Sequence, residues 1–289
     1  MYSIKNDNEI NFATVFNKNT LNVFTDASIN KKSERTDGCA GVVAIITDED
    51  NNRVVLHNKF SVLIDSTNNE SEIYAIYLGI ITALEIMQTV PITHVNLFSD
   101  SKISIFGLRE WIYKWVNNVK DGTLISSSGT PVKNQQIFMK CIYAILENNL
   151  DISLFHIDGH TALSSDKALH DAMLNFRSNN NLTHYFINMG LFKILCGCND
   201  IVDVVSRDIV MNNVPNITED EYVFNIASKV FGCNTGKILS VPNPQGVTYG
   251  SVKNWAFETR YATIDIETYK KLTGGSLKWV KVMQHYQEL

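Results

Sequence analysis

Two short stretches of this chain share one pattern, in which alternating apolar residues run up to a carboxylate. The first is Leu21–Ser28 and the second is Val95–Ser101. Each pattern predicts a β-strand, with Asp26 and Asp100 at the strand ends. Asp at a strand end is an ordinary turn residue, and it is equally a residue that binds hard metal ions. Two such strands lying side by side would bring both carboxylates together, and this limits how the rest of the chain can fold.

The segments around these two strands alternate between strand and helix patterns up to about residue 180. Strands at 38–46 and 53–64 follow the first one after short polar loops, which suggests an antiparallel meander. A helix opens at Thr67, since apolar residues then recur at spacings of three and four. The remaining predicted elements are helices over 100–106, 110–116 and 134–149, a strand over 152–157 and a helix from residue 165. This order predicts an α/β fold with a mixed five-stranded sheet and helices on both faces.

The chain also divides by composition into three parts. Residues 1–20 are polar without a clear period and are predicted to form an N-terminal arm. Residues 21–180 form the α/β domain, which the polar run Ser178–Asn181 closes. Residues 181–289 mix apolar, aromatic and basic side chains, and they predict a small C-terminal α or α+β region of unknown role.

Composition excludes several classes of protein. The 289 residues are 45% hydrophobic and carry a net charge of −5, so any nucleic-acid binding must come from a local patch and not from overall charge. The odd number of scattered cysteines forms neither a disulfide framework nor a paired zinc site, and we expect buried thiols. The chain has no long apolar run and a polar N-terminus. We therefore expect a cytoplasmic protein without a membrane partner; abundant Asn, Ile and Lys also fit an AT-rich genome, that of a virus or phage included.

With the elements in place, residues 20–180 resemble ribonuclease H of type 1, and bacterial members in particular. The local matches follow one another in the family's order: Thr25-Asp26-Ala27-Ser28, Thr67-Asn68-Asn69-Glu70-Ser71-Glu72-Ile73, Ser99-Asp100-Ser101, Trp111-Ile112-Tyr113-Lys114-Trp115, Pro131-Val132-Lys133-Asn134 and Gly159-His160-Thr161. No single match is specific, but their order over this length is. The C-terminal region of the chain has no counterpart in the minimal enzyme of this family.

The resemblance implies a set of four metal-binding carboxylates and one assisting histidine. The carboxylates are Asp26, Glu72, Asp100 and Asp171, and the histidine is His160, on the loop that precedes the last helix. Glu72 is selected over Glu70 by its distance from Thr67, and we assign Glu70 to helix capping. Asp166 is the rival to Asp171, but it occupies a position typical of a helix N-cap.

The family's activity implies the cofactor and the substrate. Two Mg²⁺ ions, with Mn²⁺ as the alternative, would be held by the carboxylates and would promote phosphodiester hydrolysis. The implied substrate is an RNA–DNA hybrid. Asn68 and Asn69 match family positions near the RNA strand, and Thr67 and Asn134 match the pocket for a phosphate of the DNA strand; turn and cap roles are the alternatives for each.

The resemblance predicts an endonuclease that cuts the RNA strand of the hybrid and leaves 5′-phosphate and 3′-hydroxyl ends. Two alternatives stay open at this point: a nuclease of the same fold that acts on DNA, and a binding module without activity. The C-terminal region is predicted to serve hybrid binding, self-association or a protein partner. Its aromatic and basic residues from Lys253 to Lys271 suit either single-strand stacking or an ordinary small fold.

Overall fold

A computed structural model describes residues 9–10, 15–17, 19–31, 36–48 and 53–211, and a few short stretches between 223 and 251. The strands are β1 (Glu9–Ile10), β2 (Thr20–Lys31), β3 (Thr36–Asp48), β4 (Arg53–Ile64), β5 (His94–Ser99), β6 (Val119–Lys120), β7 (Thr123–Leu124), β8 (Ile152–His156), β9 (Phe186–Ile187), β10 (Ile238–Val241) and β11 (Thr248–Ser251). The helices are α1 (Asn68–Met87), α2 (Lys102–Phe106), α3 (Ile112–Val116), α4 (Gln135–Glu147), α5 (Asp166–Asn179) and α6 (Met189–Val210), with a π-helical turn at Gly107–Trp111.

The main sheet has the strand order β10-β4-β3-β2-β5-β8, and β11 also pairs with β4. Strands β2, β3 and β4 form an antiparallel meander. Strands β5 and β8 continue the sheet in parallel with β2. The predicted mixed five-stranded sheet is therefore confirmed, and β10 and β11 lengthen it at the β4 edge.

The central strand β2 is buried on both faces. Leu21 and Val23 pack in the hydrophobic cluster that α1 covers, whereas Phe24 packs in the cluster that α5 and α6 cover. Successive side chains of a strand point to opposite faces, so Asp26 shares the face of Phe24. The alternation of side chains along this strand thus points the Asp26 carboxylate toward the side of the sheet on which α6 lies.

Helix α1 begins where the sequence predicts. Thr67 is its N-cap: the Thr67 hydroxyl accepts a hydrogen bond from the Glu70 backbone N–H, and the Glu70 carboxylate accepts one from the Thr67 backbone N–H. This is a capping box, which satisfies two backbone donors that the helix itself leaves unpaired. The assignment of Glu70 to capping is confirmed.

The two helices predicted between residues 100 and 116 form one helical segment. Helix α2 leads directly into the π-helical turn, and α3 follows without a break. Arg109, in the π-helical turn, donates hydrogen bonds to the Leu154 carbonyl at 3.1 Å and to the Asn179 carbonyl at 2.7 Å. The local widening of the helix coincides with the residue that ties it to β8 and to the end of α5.

The boundaries predicted at residues 20 and 180 do not separate the cores. Helix α6 lies beyond the second boundary, yet Phe192 and Val202 on it are fully buried in the same cluster as Phe24 of β2. Val15 and Phe16, within the predicted N-terminal arm, are buried there too. The polar run at 178–181 marks only the turn after α5, because an apolar helix can return to the sheet after any loop.

Several other expectations can be compared with the described residues. Four free cysteines, Cys39, Cys141, Cys196 and Cys198, are buried, as predicted; Cys233 lies outside the described part. The segment from Lys253 to Lys271 is also outside it. In the part of the chain that the structure describes, no helix is both long and apolar enough to cross a membrane.

The place of α6 in the core can be tested with one substitution. Phe192→Ala removes a fully buried ring that lies 5.5 Å, centroid to centroid, from Phe176. We expect the free energy of unfolding to fall by about 3–5 kcal/mol, since the cavity cannot close fully. Urea unfolding followed by circular dichroism measures this, and the exposed neighbour Lys193→Ala should change it by less than about 0.5 kcal/mol. Equal effects of the two substitutions would contradict the shared core.

Candidate metal centre

Three carboxylates that are far apart in the sequence meet at one end of the central strand. Asp26, Glu72 and Asp100 each present an oxygen, and these oxygens all lie within 4.8 Å of one another. Asp100 directly follows β5, and Glu72 lies near the start of α1. The structure therefore brings together three of the four carboxylates that the sequence suggests for a metal site.

Asp26 is not at the end of its strand, and this part of the prediction was wrong. Strand β2 runs on to Lys31, because β3 continues to pair with it up to the Lys31–Thr36 pair. The parallel partner β5 ends earlier, at the Thr25–Ser99 pair. Asp26 is thus the first residue of β2 without a β5 neighbour, and the opening beside it receives the other two carboxylates.

The electrostatics of this cluster disfavour its charged form. Burial is the largest cause that raises the pKa of Asp26, Glu72 and Asp100, and the negative charges of neighbouring carboxylates raise it further. A few hydrogen bonds and, for the pKa of Asp100, the nearby imidazole of His160 oppose this effect. The Ala27 backbone N–H donates to Asp26 Oδ1 at 2.7 Å, and the Asn68 side chain bonds to Glu72.

One carboxylate oxygen of the cluster is left without a partner. Glu72 Oε2 is buried and has no hydrogen-bond donor among the described residues. A buried acceptor without a donor is costly unless a cation satisfies it. Carboxylate oxygens are the ligands that Mg²⁺ and Mn²⁺ prefer, so the donor set fits a divalent ion.

A buried histidine holds the backbone at Asp100. The ring nitrogens of His156 lie 3.1 Å from the Asp100 carbonyl (Nε2) and 3.2 Å from Asn179 Nδ2 (Nδ1). Because the Asn179 amide is a donor, Nδ1 accepts and the His156 Nε2–H donates to Asp100. Burial is the main cause that lowers the pKa of His156, which keeps this ring neutral.

The loop after β8 approaches the cluster closely. A Cβ atom on Gly159 would collide with Oδ2 of Asp100, so a larger residue there would have to displace this carboxylate. His160 follows in a left-handed backbone conformation (φ 53°), with its side chain 74% exposed. Its Nδ1 lies 3.4 Å from Oδ2 of Asp203, a residue of α6. The predicted histidine therefore lies beside the site but points to a carboxylate that the sequence did not suggest.

The fourth predicted carboxylate does not join the group. Asp171 is exposed on α5, and the described group of converging oxygens does not include it. Its role as a metal ligand stays a prediction. Asp166 is the first residue of α5, and the N-cap is Ser165, whose hydroxyl accepts from the Ala168 backbone N–H. The N-cap is therefore one residue earlier than the Asp166 that we expected.

Asp203 and Asp200 are the acidic residues near the site that sequence reasoning missed. The charge of Asp203 contributes to the raised pKa of Asp26, Glu72 and Asp100. Burial first, and Asp203 second, raise the pKa of Asp200 to about 6. The available signal was the two acids within the otherwise uncharged stretch 194–206 of this helix, since a mostly apolar stretch rarely carries partly buried carboxylates without a function.

The residues predicted to bind substrate lie on two helix N-termini. Thr67 uses its hydroxyl in the capping box, so the alternative cap role is confirmed for this residue. Asn68 and Asn69 are exposed in the first turn of α1. Asn134 is the N-cap of α4 in a left-handed conformation (φ 55°), and its side chain makes no capping hydrogen bond in the described structure.

Comparison with known proteins identifies related sequences. A family model described as RNase H matches residues 18–174. A ribonuclease H of Ruthia magnifica subsp. Calyptogena magnifica is 33% identical over 113 residues, 38% of this chain and 68% of that protein. A ribonuclease H of Haemophilus influenzae (strain 86-028NP) is 29% identical over 120 residues, 41% of this chain and 66% of that protein. The matches thus span about two-thirds of these relatives.

Solved structures give a more distant likeness. LC9-RNase H1, described as a type 1 RNase H with the type 2 active-site motif, is 17% identical with a TM-score of 0.41, and the match covers 56% of this chain and 74% of that one. The family match ends at residue 174, before α6 begins at Met189.

The repulsion within the cluster predicts the stability of the metal-free protein. Asp100→Asn removes a partly buried charge, so we expect a gain on the order of 1 kcal/mol, or about 2–4 °C in the thermal midpoint measured with chelator present. Asp121→Asn is the matched control, because Asp121 is exposed and its left-handed conformation (φ 45°) suits Asn equally. A midpoint for Asp100→Asn at or below that of the control would show that the carboxylates do not repel one another.

Proposed function

This chain belongs to the RNase H family of enzymes, and we propose from this premise that it is a metal-dependent endonuclease that hydrolyses the RNA strand of RNA–DNA hybrids. The products are proposed to carry 5′-phosphate and 3′-hydroxyl ends. The observation that carries the proposal is the convergence of Asp26, Glu72 and Asp100 within 4.8 Å. All three lie inside the segment that matches the family, and their oxygens suit a divalent ion.

The chemistry follows from what the carboxylates can hold. Divalent ions bound there, Mg²⁺ or Mn²⁺, would activate a water molecule and neutralise the charge that develops on the phosphoryl and leaving oxygens. Asp26 comes from the central strand, and it is proposed to bridge two ions. Glu72 and Asp100 would complete one binding position, with Asp171 predicted from the sequence for the other.

His160 is the proposed proton carrier of the site. Its Nδ1 faces the carboxylate of Asp203 at 3.4 Å, which leaves Nε2 as the nitrogen that can take up or release a proton. The imidazole is exposed, so it can exchange that proton with solvent. Gly159 lies against the side chain of Asp100, so the backbone of the next residue, His160, is held close to the cluster.

Recognition of the RNA strand is assigned to the start of α1. Asn68 and Asn69 are exposed next to Glu72, and their amides can donate to and accept from a ribose 2′-hydroxyl, the group that distinguishes RNA from DNA. Asn134 and Thr67 are proposed to contact a phosphate of the DNA strand. Asn134 is the stronger candidate of the two, because Thr67 already uses its hydroxyl in the helix cap.

The proposal predicts cleavage of one substrate among three. The full chain is incubated with end-labelled RNA–DNA hybrid, duplex DNA and duplex RNA, each with Mg²⁺ and with chelator. We expect cleavage of the RNA strand of the hybrid only, dependent on Mg²⁺. Asp100→Asn should lower the rate at least about 100-fold, since it removes one donor of the ion site.

The controls separate the site from the fold. Asp121→Asn removes an equally negative but exposed side chain and should cut at the parental rate. Cleavage of duplex DNA in preference to hybrid would favour a DNA nuclease, and no cleavage by the parent would favour a binding module. Parental activity in Asp100→Asn would remove that carboxylate from the site.

Asn134→Gly tests the phosphate contact without disturbing the backbone. Glycine accepts the left-handed conformation of this position, so the thermal midpoint should stay within a few degrees of the parent. Loss of one hydrogen bond to a charged phosphate should raise KM for hybrid about tenfold, with little change in kcat. Steady-state kinetics measures both constants, and an unchanged KM would show that Asn134 does not contact the substrate.

A further inference from the structure

Helix α6 lies outside the family match, and it carries a carboxylate toward the site. Most of this helix is apolar and buried, including Val202 and Val205. Asp203 lies between them, and only 14% of its side chain is exposed. The described partners of this carboxylate are His160 at 3.4 Å and Arg207 at 3.3 Å, both on residues with exposed side chains.

The register of α6 against the sheet places Asp203 near Asp26. Ser206 packs so tightly on β3 that a Cβ atom on Gly41 would collide with its Oγ. Gly41 is the residue of β3 that pairs with Asp26 of β2. Asp203 precedes Ser206 by one helical turn and therefore lies on the same face of α6.

The loop after β8 gives a second, independent connection. Gly159 touches the side chain of Asp100, and the next residue, His160, reaches Asp203. Two contacts therefore place Asp203 beside the cluster. The sheet places it near Asp26, and the loop after β8 places it near Asp100. Asp203 lies outside the group of oxygens within 4.8 Å of one another, but its negative charge acts on all three carboxylates of the cluster, which agrees with a position beside them.

The cluster also shows an unfilled need for a cation. Glu72 Oε2 is buried and lacks a hydrogen-bond donor within the part of the chain described by the structure. A further carboxylate directed at such a cluster increases the repulsion unless a divalent ion lies among the oxygens. Asp171, in contrast, is exposed on α5.

We propose that Asp203 is the fourth carboxylate of the divalent-ion site, contributed by α6 in the place that the family resemblance gives to Asp171. The inference rests on the proposed function only in assuming that Asp26, Glu72 and Asp100 bind the ion. It gives the segment beyond the family match a direct part in the active site. Asp203 also pairs with His160, so the carboxylate links ion binding to the orientation of the imidazole.

Mn²⁺ binding to the full chain, without nucleic acid, tests the inference. Isothermal titration and electron paramagnetic resonance of free Mn²⁺ both report the affinity. We expect Asp203→Asn to weaken Mn²⁺ binding at least about tenfold. Asp166→Asn, which removes an exposed charge from α5, should stay within about twofold of the parent, and Asp171→Asn should weaken Mn²⁺ binding less than Asp203→Asn does. Asp203→Glu should regain part of the lost affinity.

A role through the histidine is distinguished by His160→Ala. If Asp203 binds the ion, Asp203→Asn weakens Mn²⁺ binding while His160→Ala keeps the parental affinity. Equal Mn²⁺ affinities in the two variants would mean that Asp203 acts only through the ring, and the inference fails. Thermal unfolding in chelator checks the fold, and Asp203→Asn should be at least as stable as the parent. Weaker Mn²⁺ binding in Asp171→Asn, with Asp203→Asn unchanged, would assign the fourth position to Asp171 and overturn the inference.

Cleavage of hybrid, measured on the same samples, separates this inference from the proposed function. A parent that binds Mn²⁺ but leaves hybrid intact overturns the proposed function, while the comparison of Mn²⁺ affinities still decides the role of Asp203. A parent that cuts hybrid, together with parental Mn²⁺ affinity in Asp203→Asn, overturns this inference alone. A parent that binds no Mn²⁺ contradicts both.

Discussion

Repulsion among one buried and two partly buried carboxylates is the constraint on which the rest of this structure depends. Asp26, Glu72 and Asp100 come from a strand, a helix and the end of another strand, and their oxygens lie within 4.8 Å. Burial and like charge both raise their pKa values, so without a cation the three side chains do not stabilise this arrangement themselves. The scaffold must therefore hold the three side chains in place, and a divalent ion bound there would supply the attraction that the cluster lacks.

The scaffold holds Asp100 in place through hydrogen bonds that begin away from the cluster, at the end of β8. Asn180 accepts a hydrogen bond from the His156 backbone N–H at 2.9 Å and donates one to its carbonyl at 2.7 Å. Arg109 donates to the Asn180 side chain at 2.9 Å, with its guanidinium 4.8 Å from the centre of the Phe106 ring. These contacts fix the end of β8, and His156 in turn donates to the Asp100 carbonyl. The position of Asp100 thus depends on a chain of hydrogen-bonded polar groups that runs from Arg109 through Asn180 to His156.

Helix α6 both packs against the sheet and carries acidic residues near the site. Its apolar face covers the sheet opposite α1 and packs in the same cluster as Phe24 and Phe98. Two acids on the same helix, Asp200 and Asp203, interact with each other and with His160. The proposed role of Asp203 would explain why its partial burial is tolerated, because attraction to a metal ion would offset the hydration that the carboxylate loses.

The sequence by itself determined the strands of the main sheet, the start of α1 and the three converging carboxylates. Strands and helices leave local patterns, alternation in the first and three-four spacing in the second, whereas the set of carboxylates was implied by the family's motifs. Thr67 and Glu70 likewise form a capping box that needs only residues one helical turn apart. The family's motifs then related Glu72 to Asp26 and Asp100 across many residues.

Only the tertiary structure decided how far β2 runs, where the core ends and which further acid approaches the site. Strand β2 continues past Asp26 because β3 pairs with it there, and the end of a strand depends on its partner. Helix α6 returns to the sheet after a polar run that looked like a boundary. Asp203 has no motif around it, since its neighbours in space, His160 and the sheet, come from distant parts of the chain. Contacts of this kind depend on packing and leave no periodic trace in the sequence.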